Sequence, residues 1–244
     1  MGVPHFFAGA PQPGETVILS ADDAHHAIRS LRLRQGDRFT SSDGRGGLAR
    51  CRVVRASGLL LEGEVEERVG ESRPLPILRV LLSPPKGDRL TWAVQKLTEV
   101  GADEIVLVEA ARSVRRWKGE RALKAGERAE AVAREAAKQS RRRFLPEVRG
   151  PLGWGEALTE ALRDGPTIVL WEHADDGLLG LLPDEPPERL GLVVGPEGGI
   201  SEVAAAAAAE QGALLASLGP NVLRTETAAV VAAAVALARY GRLG

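Results

Sequence analysis

The sequence predicts an α/β protein with a mainly parallel sheet, preceded by a small β-barrel domain, and three observations carry that prediction. Short continuous apolar runs such as Thr167–Trp171 and Leu190–Val194 are those of strands buried on both faces. From residue 77 onward such runs alternate with helical patterns, the arrangement of parallel strands covered by helices. Residues 1–70 instead hold brief alternating runs broken by Gly36-Asp37, Asp43-Gly44 and Gly46-Gly47, a pattern of short strands and turns.

Taken in order, the first strands are Val17–Leu19, Arg38–Thr40, Ala49–Arg55 and Leu59–Val65. Ser20-Ala-Asp-Asp followed by Ala24 to Leu31 predicts one capped helix among them. Glu66 to Pro76 is charged and contains two prolines, so the domains are drawn as 1–71 and 72–244. A strand at Ile77–Leu82 leads to a helix over 88–100, with Leu90, Ala93, Val94, Leu97 and Val100 on one face. Glu104–Val108 is the next strand, and a long basic helix is predicted over roughly 119–140. Strands at Thr167–Trp171, Leu190–Val194 and Leu214–Ser217 follow, with helices over 201–211 and 225–240.

Of the 244 residues, 44 % are apolar, enough for a buried core, and nothing in the composition suggests disorder. The single cysteine, Cys51, cannot form an internal bridge, which fits a reducing, cytoplasmic setting. No run of 18 apolar residues argues for a transmembrane helix, and Met1–Phe7 has no signal-peptide pattern. The net charge of −1 hides an asymmetry. Residues 25–55 carry eight Arg against two Asp, residues 112–149 carry thirteen Lys or Arg against five Glu, and residues 150–244 carry five basic against thirteen acidic side chains. Two basic segments on a neutral chain point to a local polyanion footprint, against the plainer reading of solvated faces with internal ion pairs. The four histidines and Cys51 show no metal-ligand spacing, so no metal is expected. Trp92, Trp117, Trp154 and Trp171 are scattered and read mostly as core.

Two C-terminal loops carry the chemistry. Gly195-Pro-Glu-Gly-Gly199 follows a buried strand and opens a helix, so its backbone N–H groups can meet a ligand at the strand's C-terminal end. It is neither a dinucleotide fingerprint nor a phosphate loop: no lysine awaits a phosphate, and Glu197 favours a neutral or cationic ligand. Leu218-Gly-Pro-Asn-Val-Leu223 leads into Arg224-Thr-Glu-Thr-Ala228, where Thr225 suits a helix cap and Glu226 a favourable first-turn acid.

Together these segments resemble the SPOUT class of RNA methyltransferases, and within it the family that methylates N3 of a uridine in 16S ribosomal RNA. The resemblance covers nearly the whole chain: Phe6-Phe7, His26, Leu31–Asp37, Lys86-Gly-Asp88, Gln95–Gly101, Arg112-Ser-Val114, Glu135–Ser140 with Pro146, and the two loops. His5 stands where the family usually has Arg, Ser30 where it has an aliphatic residue, and Lys138 where an acidic residue is common. The resemblance implies a C-terminal trefoil knot, which periodicity alone does not predict, a PUA-like RNA-binding first domain, a homodimer, and S-adenosylmethionine as cofactor. Carried onto this chain, the cofactor contacts are Leu170, Trp171 and Glu172, then Gly195, Pro196, Glu197, Gly198 and Gly199, then Leu218, Gly219, Val222 and Leu223. Arg224 is the candidate for stabilising charge on the target base or fixing the RNA, and Glu197 for steering the sulfonium or accepting a proton. Small-subunit rRNA phosphates would be held by Arg29, Arg32 and Arg34 of the first domain. Arg112, Arg115, Arg116, Lys118, Arg141, Arg142 and Arg143, assigned to the catalytic domain, would hold others. Three readings compete: a SPOUT enzyme acting on another rRNA or tRNA nucleotide, a catalytically silent RNA-binding or ribosome-assembly protein, and a nucleotide-binding oxidoreductase, the last disfavoured by the missing fingerprint.

Overall fold

A computed structural model describes residues 3–109 and 120–243, which form two compact units. Of the described residues, the first comprises 3–73 with 137–145, and the second 74–109, 120–136 and 146–243.

The first unit is a five-stranded sheet of β1 (His5–Phe6), β2 (Thr16–Ile18), β3 (Arg38–Ser42), β4 (Gly47–Ser57) and β5 (Leu60–Gly70), in the order β1-β3-β4-β5-β2. All pairs are antiparallel except β1 with β3. Phe6, Val17, Leu19, Phe39, Cys51, Val53, Leu61 and Val65 point inward to its core. Gly63 is glycine for a reason: a Cβ there would come within 2.4 Å of the Phe39 ring. The predicted capped helix is present in altered form. In α1 (Ala21–His25) the Ser20 hydroxyl accepts from the Asp23 amide, and the chain then widens into a π-helical turn over His26–Ser30. Burial pushes the Cys51 thiol up to about 11, so it stays protonated and inert.

Arg141–Arg143 do not sit in the catalytic domain as the sequence suggested; they belong to the first unit. The reason is hydrogen bonding. His5 Nε2 donates to the Arg142 carbonyl at 3.0 Å, and the Ser42 hydroxyl donates to the Arg143 carbonyl at 2.9 Å. The Leu145 amide donates to the Gly44 carbonyl at 3.0 Å. Lys138 Nζ meets Asp23 Oδ1 at 2.7 Å with both side chains largely covered, which accounts for a lysine where the family favours an acid.

The second unit is a six-stranded, wholly parallel sheet. Its strands are β6 (Ile77–Leu82), β7 (Glu104–Glu109), β8 (Glu147–Gly153), β9 (Thr167–Leu170), β10 (Arg189–Val194) and β11 (Leu214–Ala216), in the order β11-β9-β10-β6-β7-β8. The helices are α2 (Arg89–Val100), α3 (Glu120–Gln139), α4 (Trp154–Asp164), α5 (Leu178–Leu181), α6 (Glu202–Glu210) and α7 (Thr225–Arg239). One face of the sheet packs with α2, α3, α5 and α7, the other with α4 and α6. Alanines at 229, 232, 233 and 236 let α7 lie close on β6, β10 and α2. The chain leaves α6 on one face, forms β11, and reaches α7 on the other. Between them it runs past two loops, bonded to the first by Ser217 N to Asp176 O (2.8 Å) and to the second by Thr225 Oγ1 to Gly195 O (3.1 Å).

Beneath the sheet lies a charged network. Arg79, with only 7 % of its side chain exposed, donates to Glu104 at 2.5 Å and to Asp164 at 2.8 Å, and Arg189 also donates to Glu104. Trp92 departs from the expected core role: it is 43 % exposed, while Trp154 and Trp171 are half-buried and Trp117 lies outside the described residues. Among the described residues, no helix is long and apolar enough to cross a membrane.

Candidate functional site

Three strand ends build a cleft in the second unit. β9 and β10 are neighbours in the sheet and β11 lies outside β9, so the segments that follow them emerge side by side at the same edge. The cleft is lined by Leu170, Trp171 and Glu172 after β9, by residues 194–197 with Gly199 and Ile200 after β10, and by residues 216–219 and 221–225 with Ala228 after β11. The space between these walls, open mouth included, is about 790 Å³.

Backbone and side-chain bonds fix the three walls to one another. Trp171 Nε1 donates to the Ile200 carbonyl at 3.1 Å, and the Trp171 amide donates to the Ala216 carbonyl at 2.9 Å. The Gly199 amide closes a turn onto the Pro196 carbonyl at 2.9 Å, and Ser201 then caps α6 by accepting from the Ala204 amide. Glycine is required at two points of this loop. Gly199 has φ +70, and a Cβ on Gly195 would meet Ile200 Cγ1 at 2.5 Å.

Every cofactor residue expected from the sequence lines this cleft except Gly198, which is exposed on the turn. Sequence reasoning missed Ser217, Asn221 and Thr225 as lining residues, although each lies within or beside the second loop. The chemistry of the lining suits S-adenosylmethionine. Leu170, Leu218, Leu223, Ala216 and Ala228 offer an apolar slot, and loop backbone groups can bond an adenine edge. Glu172 and Glu197 bring two carboxylates, and Arg224 is the single cation of the lining, which favours a positively charged ligand over a pyrophosphate. Among the described residues, no group of three His, Cys, Asp or Glu side chains could hold a metal ion.

The two residues singled out for chemistry differ in their ties. Glu197 Oε1 accepts from the Lys86 amide at 2.9 Å and lies 4.0 Å from Arg89, so this carboxylate is anchored to the segment before α2. Arg224 is exposed at the start of α7 and has no ion-pair partner among the described residues.

The basic residues fall into two groups. In the first unit, Arg38 and Arg52 pair with Glu66 and Arg50 with Glu67, so part of the basic run is neutralised where it stands. Arg29, Arg32 and Arg34 are exposed and have no ion pair among the described residues. Arg141 is exposed, Arg142 is half-buried, and Arg143 is committed to Glu71 at 2.6 Å. Arg112, Arg115, Arg116 and Lys118 lie outside the described residues.

Comparison with known proteins agrees with this geometry. Residues 71–237 match the RNA methyltransferase domain family, and residues 19–66 match the RNA methyltransferase PUA domain. The chain is 37 % identical over 226 residues to ribosomal RNA small subunit methyltransferase E of Mycobacterium tuberculosis, covering 91 % of this chain and 86 % of the relative. It is 32 % identical over 226 residues to the protein of that name in Bacillus subtilis, covering 89 % and 88 %. A crystal structure of ribosomal RNA small subunit methyltransferase E from Neisseria gonorrhoeae, bound to S-adenosylmethionine, superposes with a TM-score of 0.88 at 27 % identity, over 98 % of both chains.

Proposed function

This chain belongs to the RNA methyltransferase family, and from that premise we propose that it transfers the methyl group of S-adenosylmethionine to N3 of a uridine in 16S rRNA of the small ribosomal subunit. The observation that carries this reading is the cleft: three loops, an apolar slot and two carboxylates, with no lysine for a phosphate. Relatives that bear the name small subunit methyltransferase support the rRNA target.

When bound, S-adenosylmethionine supplies a methyl group on a positively charged sulfur that leaves as a neutral thioether. The protein's own tasks are then to hold the cofactor, orient the base, remove the N3 proton and stabilise charge on the flanking carbonyl oxygens. Loop backbone groups at 195–199 and 218–223 would hold the cofactor, with Leu218 and Leu223 offering an apolar slot for its adenine. Glu197, fixed by the Lys86 amide, would supply a carboxylate for the positive sulfur. Arg224, exposed at the cleft's edge, stabilises the developing negative charge of the uracil carbonyls. Replacing Arg224 with Ala should leave cofactor binding intact by calorimetry and remove most methyl transfer; full activity would remove it from the mechanism.

In the same reading the enzyme is cytoplasmic, needs no metal, binds rRNA phosphates through Arg29, Arg32 and Arg34, and works as a homodimer. Sedimentation of the purified protein tests the homodimer. The decisive assay supplies labelled S-adenosylmethionine and small subunits lacking the modification, then maps the product. N3-methyluridine is expected. Another methylated base would move the target, and tight RNA binding without transfer would make the protein a silent RNA binder.

A further inference from the structure

A second groove lies beside the cofactor cleft. It is lined by residues 86–89 and Trp92 at the start of α2 and by Arg224, Glu226 and Thr227 at the start of α7. Arg224 lines both, so groove and cleft meet at that side chain. Glu197 ties them further, because it lines the cleft and accepts from the Lys86 amide of the groove.

Two features of the groove point to a ligand. The Glu226 side chain is only 9 % exposed; its Oε1 lies 3.6 Å from Arg89 Nε, but its Oε2 is buried with no hydrogen-bond partner among the described residues. Leaving a carboxylate oxygen buried and unpaired is costly, and folded proteins keep such groups chiefly where they serve a purpose. Trp92, 43 % exposed, offers an unpaired aromatic surface in the same groove.

We propose that this groove holds the target uracil, with Trp92 stacking on its ring and the Glu226 carboxylate taking the N3 proton. The assignment rests on the methyl-transfer reading above and supplies its missing proton acceptor. The charge pattern selects the base. Uracil presents a donor, N3–H, flanked by two acceptors, O2 and O4. The groove presents a carboxylate, Glu226, with Arg89 and Arg224 as cationic donors on the residues around it. Cytosine, whose N3 is an acceptor, would set a lone pair against that carboxylate. Stacking on Trp92 adds affinity without choosing among bases. In the reaction the N3–H proton passes to Glu226, the N3 electron pair forms the new N–CH3 bond, and the electron pair of the broken C–S bond stays on sulfur. Glu226 then releases its proton to water. The other charged groups that line the groove are Lys86 and Asp88.

Single-turnover methylation of unmodified small subunits by wild type and Glu226→Gln tests the assignment, with Glu226→Asp alongside. Glu226→Gln should keep cofactor affinity by calorimetry, lose transfer by at least about a hundredfold, and show a residual rate that climbs with hydroxide concentration as solvent base replaces the side chain. Glu226→Asp should recover part of the loss. A Gln variant within about threefold of wild type, or one whose cofactor affinity falls in step with its rate, would overturn the proton-acceptor role. Binding of a uridine oligonucleotide in the presence of S-adenosylhomocysteine should quench tryptophan fluorescence in wild type and not in Trp92→Phe; equal quenching in both would overturn the stacking role. A wild-type protein that forms no N3-methyluridine would instead overturn the underlying reading.

Discussion

The Thr225 hydroxyl donates to the Gly195 carbonyl at 3.1 Å across thirty positions of sequence, so the last helix starts on the first glycine loop. The bond is buried and joins the second and third walls of the cleft proposed for the cofactor. Thr225→Val keeps the side-chain shape, deletes the donor and strands the carbonyl. A buried acceptor left unpaired costs about 1–3 kcal/mol. Thermal unfolding should show that loss, and calorimetry should show weaker S-adenosylmethionine binding. Gly195→Ala, whose Cβ would meet Ile200 at 2.5 Å, should weaken the cofactor further. Unchanged affinity in both would separate this junction from cofactor binding.

The buried charge network of the second unit makes a different prediction. Arg79 serves Glu104 and Asp164 while almost wholly covered. Its removal leaves Glu104, itself 7 % exposed, with only Arg189 for compensation. Arg79→Ala should therefore cost about 3–5 kcal/mol, the cost of breaking a buried pair from one side. Arg79→Lys should recover only part of it, because one ammonium cannot match the guanidinium's fork. Denaturant unfolding of the three proteins measures both steps.

Much of this fold was legible in the sequence, and the failures have physical causes. Strands β6, β7, β9 and β10 are apolar runs buried on both faces, and they stood where expected. β8 escaped because Glu147–Gly153 holds two glycines and a proline, tolerated at the sheet edge where it lies. α4 is absent from the sequence reading, although Trp154, Ala157, Leu158, Ala161 and Leu162 stand at helical spacing. Trp92 was misread although Leu90, Ala93, Val94 and Leu97 define the buried face of α2 and leave position 92 off it. The docking of residues 137–145 onto the first unit rests on backbone carbonyls of Arg142 and Arg143, and no side-chain pattern announces that. Glu226 looked like an ordinary first-turn acid; only its unpaired Oε2 sets it apart.

His5 gives the first unit a pH dependence. Its Nε2–H donates to the Arg142 carbonyl and its Nδ1 lies 2.9 Å from the Thr40 hydroxyl. Burial, aided by the charges of Arg141 and Arg143 and opposed by the bond to Arg142, lowers its pKa from 6.5 to about 4. The native ring is thus neutral at pH values where the unfolded chain has already taken up a proton. Stability should be fully present above pH 6.5 and decline as pH falls toward about 4, by on the order of 3 kcal/mol at most. Urea midpoints across that range should slope for wild type and flatten for His5→Gln. An equal slope in the variant would assign the effect to carboxylates.

The RNA footprint of the first unit is open to a salt test. Arg38, Arg50 and Arg52 already face Glu66 and Glu67, so they have little charge to offer a phosphate. Arg29, Arg32 and Arg34 are exposed without such partners among the described residues. Each phosphate contact contributes roughly 0.7–0.9 to the slope of log affinity against log salt. Replacing all three with Ala should weaken rRNA binding and lower that slope by about 2–3, with cofactor affinity unchanged. Arg50→Ala serves as the control, because an exposed ion pair contributes about 1 kcal/mol or less and its loss frees no phosphate contact. If the control flattens the slope as much as the triple variant does, general surface charge explains the binding, and the three arginines are not its footprint.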